Sequence, residues 1–333
     1  MGADPGKSQN AASSFVNMSY MDALVQAQIE EMERDPRVIL MGEDVAVYGG
    51  GKLIERFGES RVWSMPISET SFVGAAIGAA ISGLRPIVDL SIASFMYLAA
   101  DPIINQAAKL PYMTGGRVQV PIVFRCCMFY GSALAAQHSD RPYPVFMNIP
   151  GLKIVSPTTA SDMKGLMKSA IRDDDPVLIF EDTKLWPVKD RVPVSPESLV
   201  PLGKAEVRQS GEDVTIVAIA GAMRQASEAA KELLAQGISA ELIDPRTLKP
   251  LDVSTILRSI AKTHRLVVVE NAHRVCGLAA EIAAIAAEAA FDHLKRPIQR
   301  VTTPDVHIPF SPALEKGLYP TKDAIVNAVK KIL

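Results

Sequence analysis

The 333-residue sequence has few of the features typical of secreted, membrane-spanning or nucleic-acid-binding proteins. Its three cysteines form no Cys-x-x-Cys pair, so we expect neither a disulfide framework nor a cysteine-rich zinc site. The net charge of −2 gives no electrostatic reason to expect a nucleic-acid partner. No apolar run is long enough to span a bilayer, and residues 1–17 lack the apolar core of a secretory signal. These absences predict a cytoplasmic protein without a membrane partner, preceded by a disordered leader at residues 1–17.

Signatures of phosphate binding are also missing. The chain contains no Gly-Asp-Gly, and the run Gly49-Gly50-Gly51 has no G-x-G-x-x-G context, so we interpret it as a mobile turn. Apolar residues, in contrast, are abundant: 48% of the chain is hydrophobic and 22% is charged, which is enough for a large core. The length is that of two domains or of one large domain.

Apolar strands and helical segments alternate along most of the chain. A capped helix after Ser19, a helix at residues 97–110 and an aperiodic loop at residues 128–150 are part of this pattern, which predicts a doubly wound α/β domain over residues 18–182. Residues 183–202 contain four prolines without periodicity, which indicates an extended linker. A second alternation predicts a smaller α/β domain over residues 203–333.

Glu69 stands between a polar run and a segment composed almost wholly of Gly, Ala, Ile and Val. A helix that is apolar on every side is expected to be buried. A carboxylate at the N-terminal end of such a helix is stabilised by the helix dipole, and helix capping is its simplest role. Because the wall behind it is dry, Glu69 is also a candidate for proton transfer.

Eight short stretches occur in an order and spacing that resemble one known family. They lie at residues 66–69, 105–109, 112–116, 121–125, 136–139, 150–157, 169–176 and 244–252. Each is a weak signal alone, but together they cover the chain from Ser19 to Leu333. The sequence resembles the beta subunit of the thiamine-diphosphate-dependent decarboxylase component of 2-oxo acid dehydrogenase complexes. That family includes the pyruvate, branched-chain 2-oxo acid and acetoin dehydrogenases.

The resemblance implies a transketolase-like pyrimidine-binding domain followed by a transketolase C-terminal domain. It implies that Glu69 bonds the aminopyrimidine ring nitrogen of thiamine diphosphate, so that the cofactor can lose the proton of its thiazolium carbon and attack the substrate carbonyl. Phe95 matches the aromatic side chain that packs on the aminopyrimidine, with ordinary core packing as the alternative. His138 matches a histidine at the mouth of the active site, with a solvated loop histidine as the alternative.

The resemblance also implies metals and partners. Five residues match positions that hold a structural potassium ion in some members, namely Ile122, Ala170, Ile171, Asp173 and Asp175; solvated aspartates at a helix end are the alternative. The missing Gly-Asp-Gly implies that an alpha subunit holds Mg²⁺ and the diphosphate in an alpha2beta2 heterotetramer. The acyl group would then pass to the lipoyl disulfide of an acyltransferase core.

The loop after Ser139 departs from the family pattern. Two prolines, Pro142 and Pro144, stand where the family has an aromatic-rich helix, so we expect no helix there and leave the substrate open. Pyruvate or a similar 2-oxo acid is the main interpretation, and cleavage of acetoin by an acetoin dehydrogenase is the alternative. A further alternative is a non-catalytic partner with the same fold.

Overall fold

The computed structural model describes residues 14–333 as two α/β domains that pack against each other. Most of the predicted leader, residues 1–13, lies outside the described residues. Fourteen strands are present in the described part of the chain: Phe15–Ser19 (β1), Val38–Gly42 (β2), Val62–Ser64 (β3), Arg85–Ile92 (β4), Val123–Met128 (β5), Lys153–Val155 (β6), Val177–Asp182 (β7), Lys189–Pro193 (β8), Glu206–Gln209 (β9), Val214–Ile219 (β10), Ala240–Asp244 (β11), Thr247–Lys249 (β12), Leu266–His273 (β13) and Gln299–Thr303 (β14).

Eleven α-helices connect or follow these strands within residues 14–333. They are Tyr20–Arg34 (α1), Gly51–Phe57 (α2), Glu69–Ile81 (α3), Leu110–Met113 (α4), Tyr143–Met147 (α5), Ala160–Arg172 (α6), Ala222–Ala235 (α7), Val253–Thr263 (α8), Leu278–Ala289 (α9), Pro312–Glu315 (α10) and Lys322–Lys330 (α11). The predicted helix at residues 97–110 is instead a succession of short pieces, a 3₁₀ turn at Ala93–Tyr97, a π-helical turn at Pro102–Ala107 and then α4.

The first domain contains a seven-stranded sheet in the order β12-β6-β7-β5-β4-β2-β3. All neighbouring pairs are parallel except β12 and β6, which are antiparallel. Strands β2, β4, β5 and β7 are buried along their whole length, as expected for a parallel sheet with helices on both faces. The second domain has a five-stranded sheet in the order β14-β13-β10-β11-β9, in which only the edge strand β9 is antiparallel. The prediction of two doubly wound α/β domains is therefore confirmed.

The borders of the two domains differ from the prediction. Residues 15–17, predicted as part of the leader, belong to β1, which pairs with β8 inside the predicted linker. The guanidinium carbon of Arg191 lies 4.8 Å from the centre of the Phe15 ring across this pair. In addition, β12 comes from the second half of the chain but completes the sheet of the first domain. Local composition contains no signal for such long-range pairing.

Of the predicted features that remain, the start of one helix is confirmed, whereas α5 and the Gly49–Gly51 run differ from the prediction. The start of α1 is as predicted, with the Ser19 hydroxyl accepting from the Asp22 amide. Helix α5, however, forms despite Pro142 and Pro144, because proline is tolerated in the first turn, where no intrahelical amide bond is needed. The Gly49–Gly51 run forms part of a π-helical turn that continues into α2, rather than a separate turn.

Helix α3 is buried on one side only. Phe72, Val73, Ala76 and Ile77 pack into the core, and the other side of the helix is exposed. We call this uncovered surface the α3 face, formed by Gly74, Ala75, Gly78 and Ile81. The prediction that the whole helix is buried is thus wrong for the single chain, because nothing in residues 14–333 covers that face.

One hydrophobic cluster continues from the α3 side of the first sheet into the second domain, where it includes residues of α8 and α9. A second cluster fills the opposite side of the first sheet beneath α1 and α6. None of the helices in residues 14–333 combines the length and apolar character needed to cross a bilayer.

Candidate functional site

The predicted site residues follow three parallel strands of the first sheet. Glu69 comes after β3, Phe95 after β4 and His138 after β5, so each stands beyond the carboxyl end of its strand. Because these ends lie at one edge of a parallel sheet, the three residues are carried to the same side of the domain. This edge of an open α/β sheet is where ligand-binding residues usually gather.

Glu69 is the first residue of α3, and only 5% of it is exposed. No hydrogen-bond donor of residues 14–333 reaches its carboxylate. The next residue, Thr70, donates its hydroxyl to the carbonyl of Leu98, which fixes the start of α3 to the chain just beyond the 3₁₀ turn of Phe95. The backbone that carries Glu69 is therefore fixed, and its carboxylate is free to accept a bond from a ligand.

Phe95 and His138 are brought together. Their ring centres are 5.5 Å apart and the rings are nearly perpendicular, at 82°. Such an edge-to-face arrangement is a favourable geometry for aromatic rings. The Ser94 hydroxyl donates to the Asp140 carboxylate over 2.8 Å, which joins the same two segments a second time. Both rings are only partly buried, so they form a wall that a ligand can reach.

Glu43 lies directly after β2, and the carboxyl end of a strand in a parallel sheet is a usual place for ligand-facing residues. It is 2% exposed, and its Oε2 atom has no hydrogen-bond partner. Burial, and then the negative charge of Glu69, raises the pKa of Glu43 to about 7. The charges of Glu43 and Glu69 therefore interact, and Glu43 keeps its proton to a higher pH than an exposed glutamate does.

Arg125 lies beneath this pair in a fully buried ion cluster. It donates from Nε to Glu181 over 2.6 Å and from Nη1 to Asp89. Burial raises the pKa of Asp89 to about 6, although Arg125 opposes the shift. Arg125 also donates to the carbonyl of Tyr48 over 3.2 Å and so holds the turn that follows Glu43.

The five residues assigned to a potassium ion come together at the C-terminal end of α6. Four of their carbonyls already accept a protein donor: Ile122 from the Val177 amide, Ala170 from the Asp173 amide, and Ile171 and Asp173 from Arg85. The carboxylates of Asp173 and Asp175 contact the ammonium of Lys153 over 2.8 and 3.0 Å. In residues 14–333 no group of three or more His, Cys, Asp or Glu side chains is arranged to hold a metal ion.

Comparison with known proteins defines the class first. The family model described as the transketolase pyrimidine-binding domain matches residues 16–189, and that of the transketolase C-terminal domain matches residues 203–325. A solved structure described as a split-gene transketolase, an inactive beta4 tetramer, superposes with a TM-score of 0.79 over 95% of this chain and 98% of its own, at 24% identity. The fold is therefore transketolase-like.

Similar sequences then identify the family within the transketolase-like class. This chain is 46% identical to the mitochondrial pyruvate dehydrogenase E1 component subunit beta of Caenorhabditis elegans, covering 98% of this chain and 95% of the relative. It is 42% identical to the acetoin:2,6-dichlorophenolindophenol oxidoreductase subunit beta of Bacillus subtilis, covering 95% and 97%. A pyruvate dehydrogenase E1 beta subunit of Rickettsia bellii is 44% identical, covering 95% and 99%. The chain therefore belongs to the family of thiamine-dependent dehydrogenase beta subunits that includes the pyruvate and acetoin enzymes.

Proposed function

We propose that this chain is the beta subunit of a thiamine-diphosphate-dependent 2-oxo acid dehydrogenase that acts on pyruvate. The observation that carries the proposal is the buried Glu69 carboxylate, which has no donor in the described chain, interacts with Glu43, and lies at the sheet edge that also carries the aromatic wall of Phe95 and His138. Pyruvate is favoured over acetoin because several of the similar beta subunits are named for it.

The residues present fit the aminopyrimidine end of thiamine diphosphate. Glu69 offers an acceptor to a ring nitrogen that carries a proton, and Phe95 offers an apolar ring surface. When bound, the cofactor supplies a nucleophilic carbon and an electron sink for decarboxylation. Glu43, whose pKa is raised to about 7, keeps the negative charge beside Glu69 low.

His138 is proposed to face the substrate or the acyl acceptor. It is only partly buried, and it follows a strand of the central sheet on a loop, where residues that contact substrates gather. The acceptor is proposed to be the disulfide of a lipoyl group carried by an acyltransferase core. In this proposal the complex works in the cytoplasm, where the three cysteines stay free thiols, as they are in the structure.

The exposed α3 face supports a second type of subunit in the assembly. Around the entrance to Glu69, Ile67 is 78% exposed and Leu98 is 62% exposed, and both are large apolar side chains. Contiguous apolar surface of this kind marks contact sites on proteins. We propose that an alpha subunit covers this region in an alpha2beta2 heterotetramer and holds Mg²⁺ and the diphosphate, so that the active site lies between chains.

Potassium is proposed for the cluster at the end of α6. Asp173, Asp174 and Asp175 contribute three negative charges, while Lys153 and Arg85 contribute two positive ones, which leaves one negative charge to balance. Carbonyl and carboxylate oxygens suit a hard cation. The ion would share these oxygens with Lys153 and Arg85.

Co-expression with the alpha subunit of the same organism tests the proposal. Pyruvate, branched 2-oxo acids and acetoin would be compared as substrates, with a lipoyl domain as acceptor and with an artificial dye as acceptor. We expect turnover of pyruvate by the wild-type pair and a loss of at least roughly 100-fold for Glu69→Gln, which keeps the size but removes the acid.

Turnover of acetoin alone would move the assignment to the acetoin enzymes. Normal cofactor binding without turnover of any substrate would favour the non-catalytic alternative. A Glu69→Gln enzyme that assembles and works at the wild-type rate would contradict the role of Glu69.

A further inference from the structure

The loop that carries His138 is held by the second domain. We call residues 129–147, between β5 and the end of α5, the histidine loop. Within the first domain, the Ser94–Asp140 hydrogen bond and the Phe95–His138 contact join the middle of the loop to the 3₁₀ turn after β4. On either side of His138, its anchors are two buried carboxylates that belong to the second domain, Glu315 and Glu270.

Glu315 holds the first part of the histidine loop. It ends α10, is 2% exposed and accepts the amide of Gly131 over 2.7 Å and the amide of Ala133 over 2.9 Å. Both loop residues have positive φ angles, 58° and 54°, which turns their amides toward the same carboxylate. Left-handed backbone is unfavourable for alanine, so the two charge-assisted bonds stabilise a shape that the loop would not adopt alone.

The same segment of the second domain also fixes Arg141, three residues after His138. The guanidinium carbon of Arg141 lies 5.2 Å from the ring centre of Tyr130 and 5.1 Å from that of Tyr319. Tyr319 in turn donates its hydroxyl to Glu315 over 3.1 Å. Arg141 donates to the carbonyls of Ser139 and Phe129 over 2.8 and 2.9 Å, and so ties the two sides of the loop together.

Glu270 holds the C-terminal part of the histidine loop. The hydroxyl of Tyr143, at the start of α5, donates to Glu270 over 2.6 Å. The same carboxylate accepts the amides of Leu278 and Ala279 at the N-terminus of α9 over 3.0 and 2.8 Å. Tyr143 is therefore fixed to the second sheet and to a helix of the second domain at once.

We propose that Glu315 is a positioning residue: the second domain sets the place of His138 by holding the amides of Gly131 and Ala133. The inference deepens the proposed function and rests on it for its kinetic consequences. The anchoring itself depends only on contacts within this chain. Removal of the carboxylate leaves the amides of Gly131 and Ala133 without their acceptor and lets the left-handed turn relax, so that His138 moves while Glu69 stays in place.

Three variants test the proposal in the complete alpha–beta enzyme. Glu315→Gln keeps the shape and one accepting oxygen, whereas Glu315→Ala removes both acceptors. Thr158→Val is the matched control, because the Thr158 hydroxyl donates to Asp244 across the same domain interface without touching the histidine loop. Hydrogen–deuterium exchange of peptides that cover residues 129–142 reports anchoring without reference to activity.

We expect exchange in that peptide to rise in the order wild type, Glu315→Gln, Glu315→Ala, and to stay at the wild-type level in Thr158→Val. We expect kcat/KM to fall by roughly 10- to 100-fold in Glu315→Gln, with unchanged affinity for thiamine diphosphate. Because the effect passes through His138, Glu315→Gln should add almost nothing to the loss caused by His138→Ala in the double variant.

Wild-type exchange of the loop in Glu315→Gln, or losses that simply add in the double variant, would overturn the proposal. So would an equal rise of loop exchange in Thr158→Val, which would mean general loosening of the interface. If the wild-type pair turns over none of the substrates, the proposed function fails, while the exchange data still decide whether Glu315 anchors the loop.

Discussion

Replacement of Glu43 by glutamine should stabilise the protein in a pH-dependent way. The pKa of Glu43 is raised from 4.5 to about 7 in the folded chain, by burial first and by Glu69 second. The unfolded chain therefore loses this proton at lower pH than the folded chain does. The stability that wild type has below about pH 4.5 is lost as the pH rises toward 7, and above 7 the loss is complete.

The magnitude follows from the size of the shift. Without screening by solvent, a pKa shift from 4.5 to about 7 lowers the free energy of unfolding by about 3 kcal/mol at high pH. Screening by solvent reduces this loss to about 1–2 kcal/mol. We expect Glu43→Gln to equal wild type at pH 4.5 and to exceed it by this amount at pH 8. Urea unfolding of the isolated chain at both pH values, followed by circular dichroism, measures the difference.

The control is Glu59→Gln, which removes an exposed carboxylate from the surface and should shift stability equally at both pH values. A Glu43→Gln variant that is less stable than wild type at pH 8 would refute the reasoning. It would show that the ionised carboxylate is well solvated or has a partner, and that no proton is held beside Glu69.

Three further outcomes are expected. His138→Ala should lower kcat by roughly 10- to 100-fold in the alpha–beta enzyme while leaving the affinity for thiamine diphosphate unchanged, as steady-state rates and cofactor titration would show; equal rates would make His138 a bystander. Gly78→Leu should abolish pairing with the alpha subunit in size-exclusion chromatography but leave the melting temperature of the isolated chain within about 2 °C, since an added Cβ meets no atom of residues 14–333 within 4 Å beyond the backbone of its own helix; normal pairing would exclude the α3 face as a contact surface. Replacement of choline chloride by an equal concentration of KCl should raise the melting temperature by a few degrees, and Asp173→Asn should remove that rise; a rise that persists in the variant would assign it to general salt effects.

The parts of the fold predicted from the sequence are those with strong local signals. Ser19 caps α1 as its spacing from Asp22 indicates, and the buried parallel strands appear as continuous apolar runs. The strands that the sequence did not reveal, such as β1, β8 and β12, are short or polar and exist because of partners far along the chain. Helix α5 was missed because prolines that prevent a helix interior are harmless in a first turn.

The candidate site also has a part that could be predicted from the sequence and a part that could not. Glu69, Phe95 and His138 stand beside motifs with recognisable spacing, and the structure gathers them at one edge of the sheet, although their roles stay predictions. The raised pKa of Glu43 and the anchoring contacts of Glu315 could not be predicted, for a physical reason. The raised pKa of Glu43 needs the charge of Glu69, and the acceptor role of Glu315 needs two amides more than 180 residues earlier in the chain. Neither property exists in the local sequence.

The placement of β12 has a consequence for synthesis of the chain on the ribosome. Thr247 pairs with Val155, so the first sheet gains its last edge strand only after the linker and the first three strands of the second sheet have been made. Until then β6 presents unpaired amides and carbonyls, which is the kind of edge along which chains aggregate. A fragment that ends at residue 202 should therefore precipitate or bind chaperones, although it contains nearly all of the pyrimidine-binding domain. We therefore expect the first domain to reach its full stability only in the intact chain.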